Sequence, residues 1–309
     1  MIQMANLYII GNGFDLAHGM QTSYEDFHQY LKEEYPDALF DGCVPEAQMM
    51  PDGDMSYGDI DVVGFLIEVI TNAEPEGEKW SDLETSLGYL DLNEYLDNYD
   101  DDDDNEWHTV YRNEDLSNNL VGAVLEITDY FAEWINTIDI NEVSPKGDFE
   151  KLIDNSKDLF LTFNYTATLE ALYEAKNVCH IHGKQGGKLL FGHGNDTDYT
   201  EEYMGRHVGS ENALQDMQEK LRKNTTEAIK GNQDFFNSIG TISVDRVYSF
   251  GFSFSEVDKI YITELCRRLP NANVTWYLND FDDIALRKQY ESIIKSCGFN
   301  GVFDTYHVS

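Results

Sequence analysis

Apolar positions run along this chain in two periods, and the change between them divides it. The stretch Leu7 to Ile10 is apolar at every position, which predicts a short strand buried on both faces. It stops at Gly11-Asn12-Gly13, residue types that accept positive φ and close backbone approach. Helical spacing resumes at Phe14. Thr22-Ser23-Tyr24-Glu25 reads as a capping box opening a helix, with Tyr24, Phe27, Leu31 and Tyr35 on one face and Pro36 at its end. Residues 36–57 show no period and read as loop. Ile60 to Ile70 and Leu83 to Leu96 predict amphipathic helices, the second opened by the capping box Ser81-Asp82-Leu83-Glu84. Leu116, Leu120, Val124, Ile127, Phe131 and Ile135 predict one long helix.

The second half returns to strands: Leu159–Phe163, Val178–Ile181, Leu189–Phe191, Val247–Phe250 and Val274–Leu278. Helices are predicted at Thr168–Lys176, Ser255–Leu269 and Asp282–Ser296, with a further helical piece over roughly 210–238. This alternation predicts an α/β protein: a Rossmann-like, mostly parallel sheet with helices on both faces and a large helical insertion after the first strand. The insertion covers approximately 24–150. With no internal repeat and no Gly/Ser linker, residues 1–309 read as a single domain.

Composition changes the picture in one respect. Against 58 Asp and Glu stand only 21 Lys and Arg, a net charge of −37. That surface repels nucleic-acid phosphates and anionic membranes, so neither is an expected partner. Any anionic ligand would have to be held by backbone N–H groups. The acidic run from Asp97 to Glu106 reads as a solvated loop; it lacks the loop glycine and spaced Glu of a calcium-binding EF-hand. Cys43, Cys179, Cys266 and Cys297 form no C-x-x-C pair, so no metal is expected. The start lacks a basic signal region and no apolar run reaches spanning length, which predicts a cytoplasmic protein with free thiols.

Polar residues collect where strands end. Leu159–Phe163 runs into Asn164-Tyr165-Thr166, Val178–Ile181 into His182-Gly183, and Val247–Phe250 into Gly251-Phe252-Ser253. In open α/β sheets, ligands sit just beyond the carboxyl ends of the strands, and Gly11 to Gly13 would join these ends there. Local roles compete with that reading. Asn164 and Thr166 can turn the chain and cap a helix, and Ser255-Glu256-Val257-Asp258 is itself a capping box. One histidine of His180-Ile181-His182 faces packing, and His193 sits in the glycine-rich turn Gly192-His193-Gly194.

Taken in chain order, these pieces resemble the AbiH abortive-infection family and, more distantly, the sirtuin-like NAD-consuming fold. The resemblance rests on IIGNGFDLAHGMQTSYEDF (9–27), WSDLETSLG (80–88), LFLTFNYTATLE (159–170), HIHG (180–183), FGHG (191–194) and YSFGFSFSEVDKIYI (248–262). It implies an anti-phage effector that hydrolyses NAD at the nicotinamide N-glycosidic bond, with NAD as substrate. Asn164 would lie by the nicotinamide ribose and His182 would be the general base. Gly11, Asn12 and Gly13 would hold the pyrophosphate, with Gly251 and Ser253 at the adenosine-side ribose and Phe14, Asp15, Thr166 and Asp258 also counted in the nucleotide site. Two positions depart from the sirtuin pattern. Asp15 stands where Gly-Ala-Gly-x-Ser has its serine, and Thr166 stands where Asn-x-Asp has its aspartate. The zinc module of deacetylases is missing.

The residue types suit that chemistry. The leaving nicotinamide is neutral, a neutral imidazole can take a proton from water, and Asn can orient water or ribose. Asp15 and Glu84 can stabilise a positive sugar, although Glu84 also completes the box with Ser81. Two other readings remain: a nucleotide-binding sensor without hydrolysis, and an interaction module acting through the acidic run. A phage-derived trigger protein and a second copy of the chain are the expected macromolecular partners.

Overall fold

β1 (Met4–Ile10) lies in the middle of a six-stranded sheet in which every pairing is parallel. The other strands are β2 (Leu159–Thr162), β3 (Val178–His180), β4 (Ser243–Phe250), β5 (Thr275–Asn279) and β6 (Val302–Tyr306), in the spatial order β3-β2-β1-β4-β5-β6. The computed structural model describes residues 4–51, 53, 55–97, 106–269 and 273–308. That strand order reverses direction between β1 and β4, the arrangement of doubly wound nucleotide-binding sheets, and confirms the expected Rossmann-like α/β class.

Two compact units share the chain: Met1–Thr22, Ile135–Leu190 and Asn224–Ser309 form one, and Ser23–Trp134 with Phe191–Lys223 form the other. The first holds the sheet. Alternation along the strands sends Leu7, Ile9, Leu161, Val247 and Trp276 to one face, packed with Tyr261, Ile262 and Leu265 of the helix Lys259–Arg268. Tyr8, Ile10, Phe160, Tyr248 and Phe250 go to the other, against Phe14, Phe149 and Tyr173. On this second face Phe160, Tyr8, Tyr248 and Tyr277 stack ring on ring across four strands, at centroid spacings of 5.2, 5.0 and 4.7 Å. The register pairs the same residues, and each ring contact adds about 0.5–1.5 kcal/mol beyond burial.

The second unit is helical, with Tyr24–Glu34, Asp59–Ala73, Glu106–Leu125 and Glu211–Leu221 its longer helices lying wholly within it. The loop expected over 36–57 contains a small hairpin pairing Gln48–Met49 with Met55–Ser56. Residues 98–105, the heart of the acidic run, lie outside the described residues.

Several local expectations shift for identifiable reasons. The first capping box forms one residue later, because Ser23 caps the helix and Asp26 reaches back to the Ser23 N–H at 2.8 Å. The Ser81 box does not form. Glu74 Oε2 instead accepts from the Ser81 and Asp82 N–H groups at 2.9 and 3.2 Å. The helix expected over Leu83–Leu96 is two pieces, Leu83–Ser86 and Asn93–Asp97. The long helix breaks at Glu126 into Glu106–Leu125 and Ile127–Thr137. Leu189–Phe191 is not a strand: Leu190 is pinned to the loop beyond β3, donating its N–H to His182 O and accepting from Tyr165 Oη. The edge strand β6 is an addition, its apolar residues broken by Asp304 and Thr305 in the manner of protected edges.

Three glycines hold the ends of β1 and β4 together. Gly11 and Gly13 donate their N–H groups to Phe250 O and Gly251 O at 3.0 and 2.9 Å. A Cβ on Gly251, whose φ is +61°, would meet Phe14 N at 2.3 Å, and one on Gly13 would meet Gly251 Cα at 2.6 Å. Gly251→Ala therefore combines a left-handed backbone with a backbone clash. It is expected to cost about 2 kcal/mol or more, read as a lowered urea midpoint in the purified chain.

Candidate active site at the carboxyl edge of the sheet

Of the predicted site residues, Asp15, Asn164, Thr166, His182 and Asp258 lie beyond β1, β2, β3 and β4 within the sheet-bearing unit, on the two faces of its carboxyl edge. Asp15 lies in the six-residue helix Asn12–Ala17 that follows β1 and is 1% exposed. Its Oδ2 accepts a hydrogen bond from Thr166 Oγ1, and the Thr166 and Thr168 hydroxyls lie 2.9 Å apart. The two positions that depart from the sirtuin pattern are thus one interaction. Burial pushes the Asp15 carboxyl above its ordinary range, opposed by Thr166, Thr168, the neighbouring Asn164 amide and the charge of His180.

Asn164 follows β2 with its backbone N–H held by Thr162 Oγ1 at 3.1 Å. Its amide lies near Asp15 without hydrogen-bonding geometry. The two histidines after β3 part company. His180 places Nδ1 3.2 Å from Asn164 O and Nε2 2.9 Å from Glu170 Oε1, so this is the packing histidine. His182 turns to the other face, its ring edge-on to Phe163 and Tyr261 at centroid distances of 5.2 and 5.5 Å. There its Nε2 lies 3.4 Å from Asp258 Oδ1, a close charge contact at the long limit of a hydrogen bond.

Asp258 reaches that position because the capping box expected of it is not made. It is the first residue before the helix Lys259–Arg268, yet its side chain bonds no helix N–H; its Oδ2 accepts from Ser255 Oγ at 2.9 Å. Periodicity assigned Asp258 to the helix end, and only the fold reveals that it faces His182.

Asp15 Oδ1, both polar atoms of the Asn164 amide, and His182 Nε2 have no hydrogen-bond partner among the described residues. All three side chains are at least nine-tenths buried. Each buried polar atom left without a partner costs about 1–3 kcal/mol, so their grouping at one sheet edge makes that edge the candidate site.

Other predicted residues fall elsewhere. The Gly11, Gly13 and Phe14 N–H groups are spent on Phe250 O, Gly251 O and Gly11 O, and the Phe14 ring is core, edge-on to Phe149 and Phe250. Asn12 Nδ2 donates to Thr22 O at 2.7 Å. Ser253 is exposed beyond β4, between buried Phe252 and Phe254. A groove of about 510 Å³ involving Lys157, Asn177, Cys179 and Asn232 lies at the opposite, amino end of β2 and β3 and is not part of this site.

The helical unit has a polar centre of its own. Glu84 forms an ion pair with Lys223 at 2.6 Å, and the Lys223 side chain is almost wholly buried. Glu84 therefore serves this pair and not the capping box expected with Ser81. Lys223 stood out in no sequence pattern, although a cation is scarce in so acidic a chain. His193, 1% exposed, accepts the Asn195 N–H on Nδ1 at 3.1 Å. Gly88, at the end of the stretch WSDLETSLG (80–88), comes close enough that a Cβ there would lie 3.1 Å from the His193 ring.

A doubly wound parallel sheet carrying buried, unmatched polar side chains at its carboxyl edge defines the class: a Rossmann-like α/β protein with a candidate site at the strand ends. Residues 7–280 match the family model described as Bacteriophage abortive infection AbiH, and the chain belongs to that family. Its role is accordingly in phage abortive infection. No curated protein and no solved structure matches the chain. Among the described residues no helix is long and apolar enough to cross a membrane.

Burial, aided by the Arg222 charge, lowers the His193 pKa to about 4. A histidine depressed in the folded state stabilises above its unfolded pKa, and the contribution is lost as pH falls through the folded value. Between about pH 6.5 and 4 the wild-type chain should lose roughly 3 kcal/mol that a His193→Gln variant does not. Urea unfolding of both at pH 7, 5.5 and 4 measures the difference.

Proposed function

We propose that the protein is an abortive-infection effector that hydrolyses NAD at the bond between nicotinamide and ribose. The observation that carries the reading is the set of unmatched polar atoms on Asp15, Asn164 and His182, gathered at the carboxyl edge of β1, β2 and β3. The strand order β3-β2-β1-β4-β5-β6 adds to it, since sheets so ordered hold dinucleotides at that edge.

In this mechanism the C–N bond to nicotinamide breaks with its electron pair on the ring nitrogen, and nicotinamide leaves neutral. Water adds to C1′ of the ribose and gives its proton to His182, so that NAD and water yield ADP-ribose, nicotinamide and a proton. The unmatched Nε2 is the nitrogen that takes the proton, and the Asp258 carboxylate beside it stabilises the imidazolium that forms. Asn164 orients the ribose or the water through its carbonyl and NH₂ groups. Asp15, held by Thr166, lends negative charge to the developing oxocarbenium.

A second reading has an observation of its own. The turn N–H groups of Gly11 and Gly13 are engaged within the protein, which favours a nucleotide-binding sensor that leaves its ligand intact. Purified full-length chain incubated with NAD should release nicotinamide and ADP-ribose, and the same loss of NAD should accompany phage infection in expressing cells. His182→Ala and Asn164→Ala should each lower the rate by about 10²–10⁴-fold. Binding of adenine nucleotides without cleavage in both settings would decide for the sensor.

A further inference from the structure

We infer that the half-site formed by Asp15, Asn164 and Thr166 takes the vicinal hydroxyls of a sugar and excludes a phosphate. The inference deepens the nucleotide reading and rests on it for the identity of the whole ligand, though not for the chemistry of this half. The resemblance to sirtuin-like proteins places the pyrophosphate against the first glycine turn, beside Asp15. The geometry points the other way.

The donor and acceptor inventory decides between the two. Asp15 spends Oδ2 on the Thr166 hydroxyl and keeps Oδ1 without a partner, while Asn164 keeps its NH₂ group and its carbonyl oxygen unpaired. A pair of hydroxyls can answer all of them: one donates to Asp15 Oδ1 while accepting from the Asn164 NH₂, and its neighbour donates to Asn164 Oδ1. A phosphate at neutral pH offers acceptors almost alone. It would leave the two oxygens unmatched and set like charges a few ångströms apart inside a buried site.

Three of the turn's backbone donors that would hold a phosphate here are already committed. The N–H groups of Gly11, Gly13 and Phe14 end on Phe250 O, Gly251 O and Gly11 O. His180, whose charge acts on Asp15, has Nδ1 beside Asn164 O and Nε2 beside Glu170. The close packing of Gly251 on Gly13, where a Cβ would meet backbone at 2.6 Å, leaves the glycines a structural reason to be glycine. They need no anion to explain them.

The test is a calorimetric titration of the full-length chain. The probes are NAD, NAD analogues lacking the hydroxyls of one ribose or the other, adenosine, and inorganic pyrophosphate. Removing the hydroxyls of one particular ribose should weaken binding about tenfold or more. Asp15→Asn should weaken NAD similarly, and the deoxygenated analogue should bind that variant with no further loss. Pyrophosphate at millimolar concentration should not compete for the site. The analogue series on the unaltered chain stands even where the variant fails to fold. Equal affinity for NAD and both deoxygenated analogues would overturn the inference, as would pyrophosphate that competes and binds more tightly to Asp15→Asn. Hydroxyl-dependent binding of adenosine with no binding of NAD would support this inference while ending the dinucleotide reading. Hydroxyl-dependent NAD binding without cleavage would likewise support it and end only the hydrolase reading. Failure of every hydroxyl-bearing probe to bind would overturn it.

Discussion

Backbone presses on backbone where β1 and β4 end, and the site depends on that contact. Gly11 and Gly13 on one side and Gly251 on the other approach so closely that a methyl group at any of them would lie within 2.6 Å of the opposite main chain. The approach engages the N–H groups of Gly11 and Gly13 and ties the ends of β1 and β4 together. The unmatched polar groups at this edge are on side chains: Asp15 and Asn164 on one face of the sheet, His182 beside Asp258 on the other. The stacked rings of Phe160, Tyr8, Tyr248 and Tyr277 hold the same strands in register one turn below.

A chain with a net charge of −37 has to be selective about which carboxylates it buries. The ones it does bury have specific company. Asp15 has the Thr166 hydroxyl, Asp258 has Ser255 and His182, Glu74 has the Ser81 and Asp82 N–H groups, and Asp158 has the Asn6 and Asp154 N–H groups. Burying a carboxylate costs several kcal/mol unless hydrogen bonds or an opposite charge offset it. In Asp15 the offset is incomplete, because Oδ1 stays unmatched, and that residue of unmet demand is what makes the edge a candidate for a ligand.

How far the sequence revealed this depended on how local each signal was. Leu7 to Ile10, the strand ends at Asn164 and His182, and the parallel α/β class were all readable, because continuous apolar runs and glycine turns act within a few residues. The capping boxes were legible in kind and not in position: Ser23 with Asp26 replaced Thr22 with Glu25, and Glu74, distant in sequence, captured the Ser81 turn. β6 escaped because an edge strand with Asp304 and Thr305 has no apolar run to announce it. The Asp15–Thr166 bond spans 151 positions and the His182–Asp258 contact joins two strand ends, and such pairings appear only once the sheet has set the register. The Thr166 and Asp15 departures looked like two defects in a motif and are the two halves of one hydrogen bond.

The central claim is that the strand ends beyond β1, β2 and β3 form one site. It is tested most directly by NMR of the labelled full-length chain during a titration with NAD, following the Thr166 methyl and the His182 ring protons. The account predicts that both sets of resonances move together and fit a single dissociation constant. Bound NAD that shifts neither, or that shifts one of the two and leaves the other in place, would contradict it.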